Sequence, residues 1–271
     1  MAGAEAGTRG PDLGEPLALW VREIASSAPG VRAQRFEYSS RGDRVPGILL
    51  LPGDQRGPFP LVLLQHGAGG SKGSDYLDAA RLPWVRGGAA VASIDFPLHG
   101  ERASAKLGEL LSAVLAARGS DAREVGVALW RDFAHQSLCD LGRALDALET
   151  RPEIDAARIA YAAFSLGAFM GALFCPSDAR PRAAALALAG GGIGPAELDP
   201  VRHIRGFAGR ALLLVNATRD ERVPRSAAEA LHAAAPEPKQ VAWFESGHRD
   251  LPGQALKAMW TFLARELAVE K

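Results

Sequence analysis

The sequence contains little cysteine, no excess of charge of either sign and no long apolar run. Its two cysteines, Cys139 and Cys175, are too few for a disulfide framework, so we expect both to be reduced residues of the core. The 31 Lys and Arg residues balance the 31 Asp and Glu residues, which gives a formal net charge of +0. Without a basic excess, neither a nucleic acid nor an anionic membrane is expected as a partner.

Targeting signals are also missing. No run of about 18 apolar residues occurs, so no membrane-spanning helix is expected. The segment 1–10 lacks the apolar stretch of a secretory signal peptide, and a cytoplasmic location is expected by default. Residues 1–12 are small and polar, and we expect them to be disordered. Cysteine and histidine do not cluster in a zinc-binding pattern, and no metal is predicted.

What the sequence does contain is an alternation of apolar and amphipathic segments along most of its 271 residues. Short apolar runs predict strands at 34–39, 44–51, 60–65, 89–94, 158–162, 183–189, 211–215 and 240–244. Leucines spaced three and four apart predict helices over 131–150 and 253–269. Strands that alternate with helices predict an α/β fold with a doubly wound, mostly parallel sheet. We interpret residues 13–271 as one domain, because α/β folds of this length are often undivided.

The beginning of this domain is interpreted as a helix followed by a hairpin. Leu17, Trp20, Val21 and Ile24 share one helical face, which predicts a helix over residues 13–28. The strands that follow flank the tripeptide 41–43 and predict an antiparallel hairpin. That tripeptide, Arg-Gly-Asp, also matches a cell-adhesion motif. In a chain without a secretion signal we interpret it as a turn.

The most informative short motif surrounds Ser165. An apolar strand runs into this serine, and a helical segment follows it. A serine on a tight strand-to-helix turn exposes its hydroxyl beside the positive end of the helix. The turn requires small residues two positions before and two positions after the serine, which here are Ala163 and Gly167. The usual pattern has glycine at both positions, so Ala163 departs from it by one methyl group.

Other strand ends carry residues that complement a serine nucleophile. One strand runs into the loop 66–70, of sequence His-Gly-Ala-Gly-Gly, another ends in the loop of Asp220, and a third ends in the loop of His248. A serine hydroxyl needs a base within hydrogen-bonding reach, and histidine titrates near neutrality. The imidazole needs an anion on its other nitrogen, and Asp220 fits that role.

Three other acids compete with Asp220 for this role. Glu245 ends the strand before the histidine loop, Asp95 ends an earlier strand, and Asp250 lies two residues after His248. Asp250 is too close in sequence to reach around to the Nδ1 atom of the imidazole. The segment between Asp220 and His248 holds one helix and one strand, so both loops are expected at the same edge of the sheet as Ser165.

In chain order, Ser165, Asp220 and His248 follow the order of the α/β-hydrolase triad. Together with the glycine loop, these motifs make residues 33–268 resemble the α/β-hydrolase superfamily, and in particular its dienelactone-hydrolase-like and small-esterase branches. The resemblance implies a serine hydrolase that cleaves a carboxylic ester through an acyl-enzyme, with no cofactor. It also implies two oxyanion donors, the backbone N–H groups of Leu166 and Ala68.

The resemblance extends to the surroundings of the site. Gly67 and Gly69 are expected to let the backbone approach the substrate. His66 and His99 are expected to have structural roles, whereas His135, His203 and His232 are expected to be solvated.

Insertions in the resembled fold often form caps over the site. Residues 103–130 are such an insertion, with a helical stripe of leucine and valine at 107, 110, 111, 114 and 115. We favour a small helical cap over the alternative, an insertion packed on the edge of the sheet.

Two other classes of function stay open. An acyltransferase or a peptidase uses the same three residues, and a non-catalytic ligand-binding protein keeps the fold without the activity. Ala163 slightly favours the binding protein. The intact set of Ser165, Asp220 and His248 favours the enzyme, because a binding protein has no physical need for all three. The expected partner is a small-molecule ester, and a homodimer stays open.

Overall fold

A nine-stranded sheet organises the chain. The computed structural model describes residues 14–26, 28–107, 109, 120–192 and 195–269. The strands are β1 (Trp20–Ile24), β2 (Val31–Ser40), β3 (Asp43–Pro52), β4 (Phe59–Gln65), β5 (Ala90–Ile94), β6 (Ile154–Phe164), β7 (Pro181–Ala187), β8 (Ala211–Ala217) and β9 (Lys239–Phe244). The helices are α1 (Asp75–Arg86), α2 (Ser120–Glu149), α3 (Leu166–Ser177), α4 (Pro200–His203), α5 (Arg225–Ala234) and α6 (Gly253–Glu266). Short 3₁₀ turns occupy Gly100–Arg102, Ala196–Leu198 and Ile204–Phe207.

The order of the strands in the sheet is β1-β2-β3-β5-β4-β6-β7-β8-β9. Strands β1, β2, β3 and β5 pair antiparallel, and all pairs from β5 to β9 are parallel. The predicted doubly wound, mostly parallel sheet is therefore confirmed. Because β4, β6, β8 and β9 run in the same direction, the loops that follow them meet at one edge of the sheet.

Strands β4 to β8 bury alternate side chains in two separate cores. In β4, Leu61 and Leu63 belong to one core, and Val62 and Leu64 belong to the other. Helices α2 and α3 cover the first core, and α1 and α6 cover the second. A strand covered on both faces is apolar at every position, which explains the uninterrupted apolar runs of the sequence.

The predicted helix over residues 13–28 is wrong. Within the described part of that range, β1 pairs antiparallel with β2 and places Ile24 opposite Ala33. Val21 packs against one core and Ile24 against the other. Residues three apart share one side of a helix but lie on opposite sides of a strand, so this apolar spacing fits both structures. The edge of β2 favours the strand. Its N–H and C=O groups would otherwise lack partners, and they form hydrogen bonds with an added strand.

All of the predicted strands are present, each within a few residues of its expected ends. The Arg-Gly-Asp tripeptide is a hairpin turn, in which Arg41 and Gly42 have φ angles of 49° and 82°. Two successive positive φ angles are typical of the type I′ turn, whose twist matches that of the flanking strands. This conformation places the tripeptide in a tight turn between β2 and β3, as predicted.

The middle of the predicted cap over residues 103–130 lies outside the described residues, which omit 108 and 110–119. These omitted residues include four positions of the predicted apolar stripe: 110, 111, 114 and 115. Residues 120–130 are the first part of α2, on which Val125 and Leu129 are exposed. The cap itself stays a prediction.

Both cysteines are buried and free, as predicted. None of the helices in the described ranges combines the length and the apolarity that crossing a bilayer requires.

We expect Gly171→Ala to destabilise the protein, although alanine favours a helix over glycine by about 1 kcal/mol. Gly171 lies in α3, and an added Cβ there would sit 2.3 Å from the ring of Tyr161 and 2.9 Å from Leu186. Overpacking of this kind costs about 1–3 kcal/mol, so the free energy of unfolding should be lower than that of the wild type. Urea denaturation measures this free energy.

The matched control is Gly253→Ala at the start of α6, where no atom of the described residues lies within 4 Å of an added Cβ. Its free energy of unfolding should be unchanged or slightly higher than that of the wild type. If both variants are equally stable, α3 does not pack against β6 as described.

Candidate active site

Ser165 occupies a strained turn between β6 and α3. Its φ and ψ angles are 50° and −117°, outside the regions that non-glycine residues prefer. The N–H of Ser165 donates to the carbonyl of Ala187 in β7, and the N–H of Gly167 donates to the carbonyl of His66. A Cβ at position 167 would lie 2.7 Å from that same carbonyl oxygen. Only glycine allows this approach, as the sequence motif predicts.

Ser165, His248 and Asp220 meet in one hydrogen-bonded row. The Nε2 atom of His248 lies 2.8 Å from the Oγ of Ser165, and its Nδ1 atom lies 2.8 and 2.9 Å from the two carboxylate oxygens of Asp220. The carboxylate accepts a hydrogen bond from Nδ1–H, which leaves the unprotonated Nε2 free to accept a hydrogen bond from the serine hydroxyl. The side chains of His248 and Asp220 are each only 6% exposed, so little water competes for these bonds.

Backbone contacts fix the orientation of the Asp220 carboxylate. Its Oδ1 atom accepts the N–H groups of Arg222 and Val223, both at 2.8 Å. These bonds close the loop after β8 and aim the carboxylate at His248. Asp220 therefore has two functions in this loop: it holds the backbone and it binds the imidazole.

The rival acids have other partners. Asp95 bonds to Lys72, Glu245 pairs with Arg219 at the surface, and Asp250 accepts the N–H of Gly247 at 2.6 Å. Among the described residues, Asp220 supplies the only carboxylate within hydrogen-bonding distance of the His248 ring.

Glu221 also contacts the histidine loop, although no sequence motif singles it out. Its Oε2 atom accepts the backbone N–H of His248 at 3.0 Å. This bond lowers the pKa of the Glu221 carboxyl, because it stabilises the ionised form. Adjacent residues 220 and 221 thus hold the side chain and the backbone of one histidine. The only sequence signal is the position of Glu221 beside the predicted acid.

The loop after β4 lies directly against Ser165. Gly67 and Gly70 close a tight turn through a 3.1 Å hydrogen bond, with Gly69 at a φ of 76°. In such a turn, the N–H of the second residue, Ala68, takes no part in the turn bond. A Cβ at Gly67 would lie 3.2 Å from the Cβ of Ser165. The loop therefore approaches the serine as closely as side chains allow.

The N–H of Leu166 is the other predicted donor. Leu166 is the first residue of α3, and the first N–H groups of a helix have no partner within it. They also carry the positive end of the helix dipole, which favours an anion.

His66 is buried and positions the glycine loop. Its Nε2 atom accepts the N–H of Phe96 at 3.2 Å, so Nδ1 carries the proton and donates to the carbonyl of Gly67 at 2.8 Å. Burial lowers the pKa of His66 from 6.5 to about 4, against the opposing effect of the Gly67 carbonyl. The ring is therefore neutral near pH 7. Its partners fit the predicted structural role.

A buried ion pair holds the far end of the same loop. The Nζ of Lys72 lies 2.6 Å from Asp95 Oδ2, and the backbone N–H of Lys72 donates to Asp95 Oδ1 at 2.7 Å. Lys72 also contacts Glu101 at 2.6 Å, and its carbonyl accepts from Arg81. Because Lys72 and Asp95 are buried, this pair ties the loop after β4 firmly to the loop after β5. The sequence gives no signal for it.

The remaining histidines lie away from the row formed by Ser165, His248 and Asp220. His99 has its ring 5.1 Å from that of His66, His135 is exposed, and His203 is partly exposed. His232 is half-buried against Trp243 rather than solvated, and that expectation is wrong. Trp243 supplies an aromatic neighbour from β9 that the sequence of α5 does not reveal.

A cleft of about 550 Å³ opens above Ser165 and His248. Gly67 and Gly69 line it, together with the apolar side chains Phe164, Leu188, Leu251 and Leu256. Arg222 and Arg249 also line the cleft. No group of three or more His, Cys, Asp and Glu residues in the described ranges is arranged to hold a metal ion.

No protein-family model and no curated protein sequence matches the chain. Several solved structures are similar. A cold-adapted esterase from an Arctic intertidal metagenomic library has 21% identity and a TM-score of 0.71, over 92% of this chain and 98% of that one. An acetyl xylan esterase from Paenibacillus sp. R4 has 21% identity and a TM-score of 0.73, over 93% of this chain and 90% of that one.

A candidate dienelactone hydrolase from Klebsiella pneumoniae subsp. pneumoniae MGH 78578 has 16% identity and a TM-score of 0.62, over 93% of this chain and 100% of that one. At this level of identity the likeness shows the fold alone. The chain has the α/β-hydrolase fold, as its motifs predict.

The pKa of His66 gives a testable pH dependence. The folded state holds this ring neutral down to about pH 4, whereas the unfolded chain protonates it below pH 6.5. The unfolded state therefore binds more protons between these values, and the stability due to neutral His66 is lost as the pH falls through that window. The expected loss is roughly 3 kcal/mol. In His66→Gln, where no proton binds, urea unfolding between pH 7 and pH 4 should show a shallower decline. Equal declines in both proteins would contradict a buried, neutral His66.

Proposed function

We propose that this chain is a serine hydrolase that cleaves a carboxylic ester through an acyl-enzyme. The observation that carries the proposal is the unbroken row from the Ser165 hydroxyl through His248 to Asp220, with 2.8 Å on both sides of the imidazole. The row lies at the base of a cleft, beside backbone N–H groups that are free of turn and helix bonds. The similar structures named above include esterases, which supports the same reaction class.

In the first half of the proposed reaction, Ser165 attacks the ester carbonyl while its proton moves to the Nε2 atom of His248. The imidazolium that forms is stabilised by the Asp220 carboxylate on Nδ1. The carbonyl oxygen becomes an oxyanion, which accepts hydrogen bonds from the N–H groups of Leu166 and Ala68. When the C–O bond to the alcohol breaks, His248 returns the proton to the departing oxygen.

In the second half, water replaces the alcohol. His248 removes a proton from the water as it attacks the acyl-enzyme, and the same two backbone donors hold the second oxyanion. Collapse of this intermediate releases the carboxylic acid and returns the proton to Ser165. No cofactor enters either half of the reaction.

The cleft favours a small ester with an apolar part. A volume of about 550 Å³ fits a ligand of modest size, and Phe164, Leu188, Leu251 and Leu256 supply apolar walls. The two arginines that line the cleft are exposed to solvent.

Two alternatives use the same site differently. An acyltransferase would pass the acyl group to an alcohol or amine instead of water, and a peptidase would cleave an amide. Matched ester and anilide substrates separate the peptidase from the esterase, and turnover with and without an added alcohol identifies the acyltransferase. A binding protein would show no turnover at all.

Ser165→Ala is the direct test of the proposal. Hydrolysis of p-nitrophenyl acetate should fall by roughly 10⁴ to 10⁶, because only binding and the oxyanion donors remain. Labelling by a fluorophosphonate probe should be lost as well. The control is Ser177→Ala at the other end of α3, where the hydroxyl donates to the Phe174 carbonyl; it should keep both activities. If Ser165→Ala hydrolyses the ester as fast as the wild type does, the nucleophile lies elsewhere.

Asp220→Asn tests the role of the acid. The Asn oxygen still accepts the backbone N–H groups of Arg222 and Val223, so the loop should keep its structure. Its amide then presents a donor to Nδ1 of His248, which favours the wrong tautomer. We expect kcat to fall by about 10⁴ with little change in thermal stability. Glu245→Gln serves as the control and should keep full activity; the opposite pattern would move the acid to Glu245.

A further inference from the structure

Tyr76 lines the cleft, and its hydroxyl bonds to the glycine loop. Tyr76 is the second residue of α1, and its ring packs edge-on against Phe164 with centroids 5.7 Å apart. Its oxygen accepts the backbone N–H of Gly67 at 2.7 Å. Gly67 is the residue whose Cα lies against Ser165. The tyrosine oxygen is therefore tethered to the backbone that borders the nucleophile.

The proton of this hydroxyl has no acceptor within the described part of the chain. A tyrosine hydroxyl donates one hydrogen bond and accepts up to two, and the bond from Gly67 uses only its accepting capacity. Partial burial raises the pKa of Tyr76 above its ordinary value, although 42% of the residue is exposed and the bond from Gly67 opposes this effect. The group thus keeps its proton at neutral pH and offers it to the cleft.

The glycine loop leaves space for this oxygen. A Cβ at Gly70 would lie 2.7 Å from the Tyr76 hydroxyl and 3.1 Å from the carbonyl of Gly67. Any other residue at position 70 would therefore displace the hydroxyl or the loop. Gly70 has no positive φ angle that would explain glycine at this position. The space taken by Tyr76 explains it instead.

We propose that Tyr76 is a third oxyanion donor, which gives a hydrogen bond from its hydroxyl to the carbonyl oxygen of the substrate. The inference rests on the proposed ester hydrolysis. Because the tyrosine oxygen accepts a bond from Gly67, its own O–H becomes a stronger donor. The bond strengthens as the carbonyl oxygen becomes negative, so it acts mainly in the transition state and transfers no proton. Tyr76 complements the backbone donors of Leu166 and Ala68.

The test is Tyr76→Phe, which keeps the ring against Phe164 and removes the hydroxyl alone. For p-nitrophenyl acetate, kcat should fall by about 10²-fold with KM changed less than about threefold, since one oxyanion donor is lost. A phenylboronic acid adduct, tetrahedral at Ser165, should weaken by a similar factor, whereas binding of planar, neutral benzamide should change little, because its carbonyl oxygen carries no full negative charge. A merely structural role for the hydroxyl would weaken both ligands together.

Tyr38→Phe is the matched control. The Tyr38 hydroxyl is buried and donates to the carbonyl of Asp140 at 2.6 Å, away from the cleft. This variant should melt at a lower temperature while keeping kcat, and Tyr76→Phe should show the reverse. If Tyr76→Phe keeps the turnover of the wild type, or loses boronate and benzamide binding equally, the inference is overturned and the proposed function stays intact. Absence of wild-type turnover and of fluorophosphonate labelling would overturn the proposed function and this inference with it.

Discussion

The close contact between the first turn of α3 and the end of β4 determines the geometry of the whole site. The N–H of Gly167 donates to the carbonyl of His66, at a distance that excludes any side chain at position 167. This contact holds Ser165 in a backbone conformation that costs on the order of 1–3 kcal/mol. Bonds from Ser165 to β7 and within α3 help to offset that cost. The same contact brings the glycine loop beside the serine, so one constraint positions both the proposed nucleophile and the proposed oxyanion donors.

Polar groups with little exposure keep the surrounding loops in place. His66 stays neutral and bridges the loops after β4 and β5, and the Lys72–Asp95 pair joins the same two loops further along. On the other side, the buried side chain of Asp220 holds the ring of His248, and the exposed Glu221 accepts its backbone N–H. A buried polar group without its partner is costly, so the bonds among the buried groups resist displacement. The cleft therefore combines loops held by buried hydrogen bonds with apolar walls against which a substrate packs.

Much of the site follows from the sequence because strand ends are easily recognised. Ser165, Asp220 and His248 each follow an apolar strand, and parallel strands bring their ends to one edge. Tyr76 and Glu221 carry no such signal. Tyr76 lies in α1, nine residues beyond the glycine that it contacts, and only the packing of α1 against β4 brings them together. The half-burial of His232 likewise depends on Trp243 of a neighbouring strand.

The sequence by itself determined the α/β alternation, the hairpin turn at Gly42 and the order of the proposed catalytic residues, because each depends on local periodicity or on turn chemistry. Tertiary structure alone decided that residues 20–24 form a strand, since the spacing of Val21 and Ile24 fits both a helix and a strand. There the free edge of β2 supplied the missing backbone partners. Tertiary structure also decided which side chains fill the space beside Gly67 and Gly70. Local sequence determines how a segment folds where its periodicity is unambiguous, whereas contacts between distant segments decide the ambiguous cases and determine which side chains reach the site.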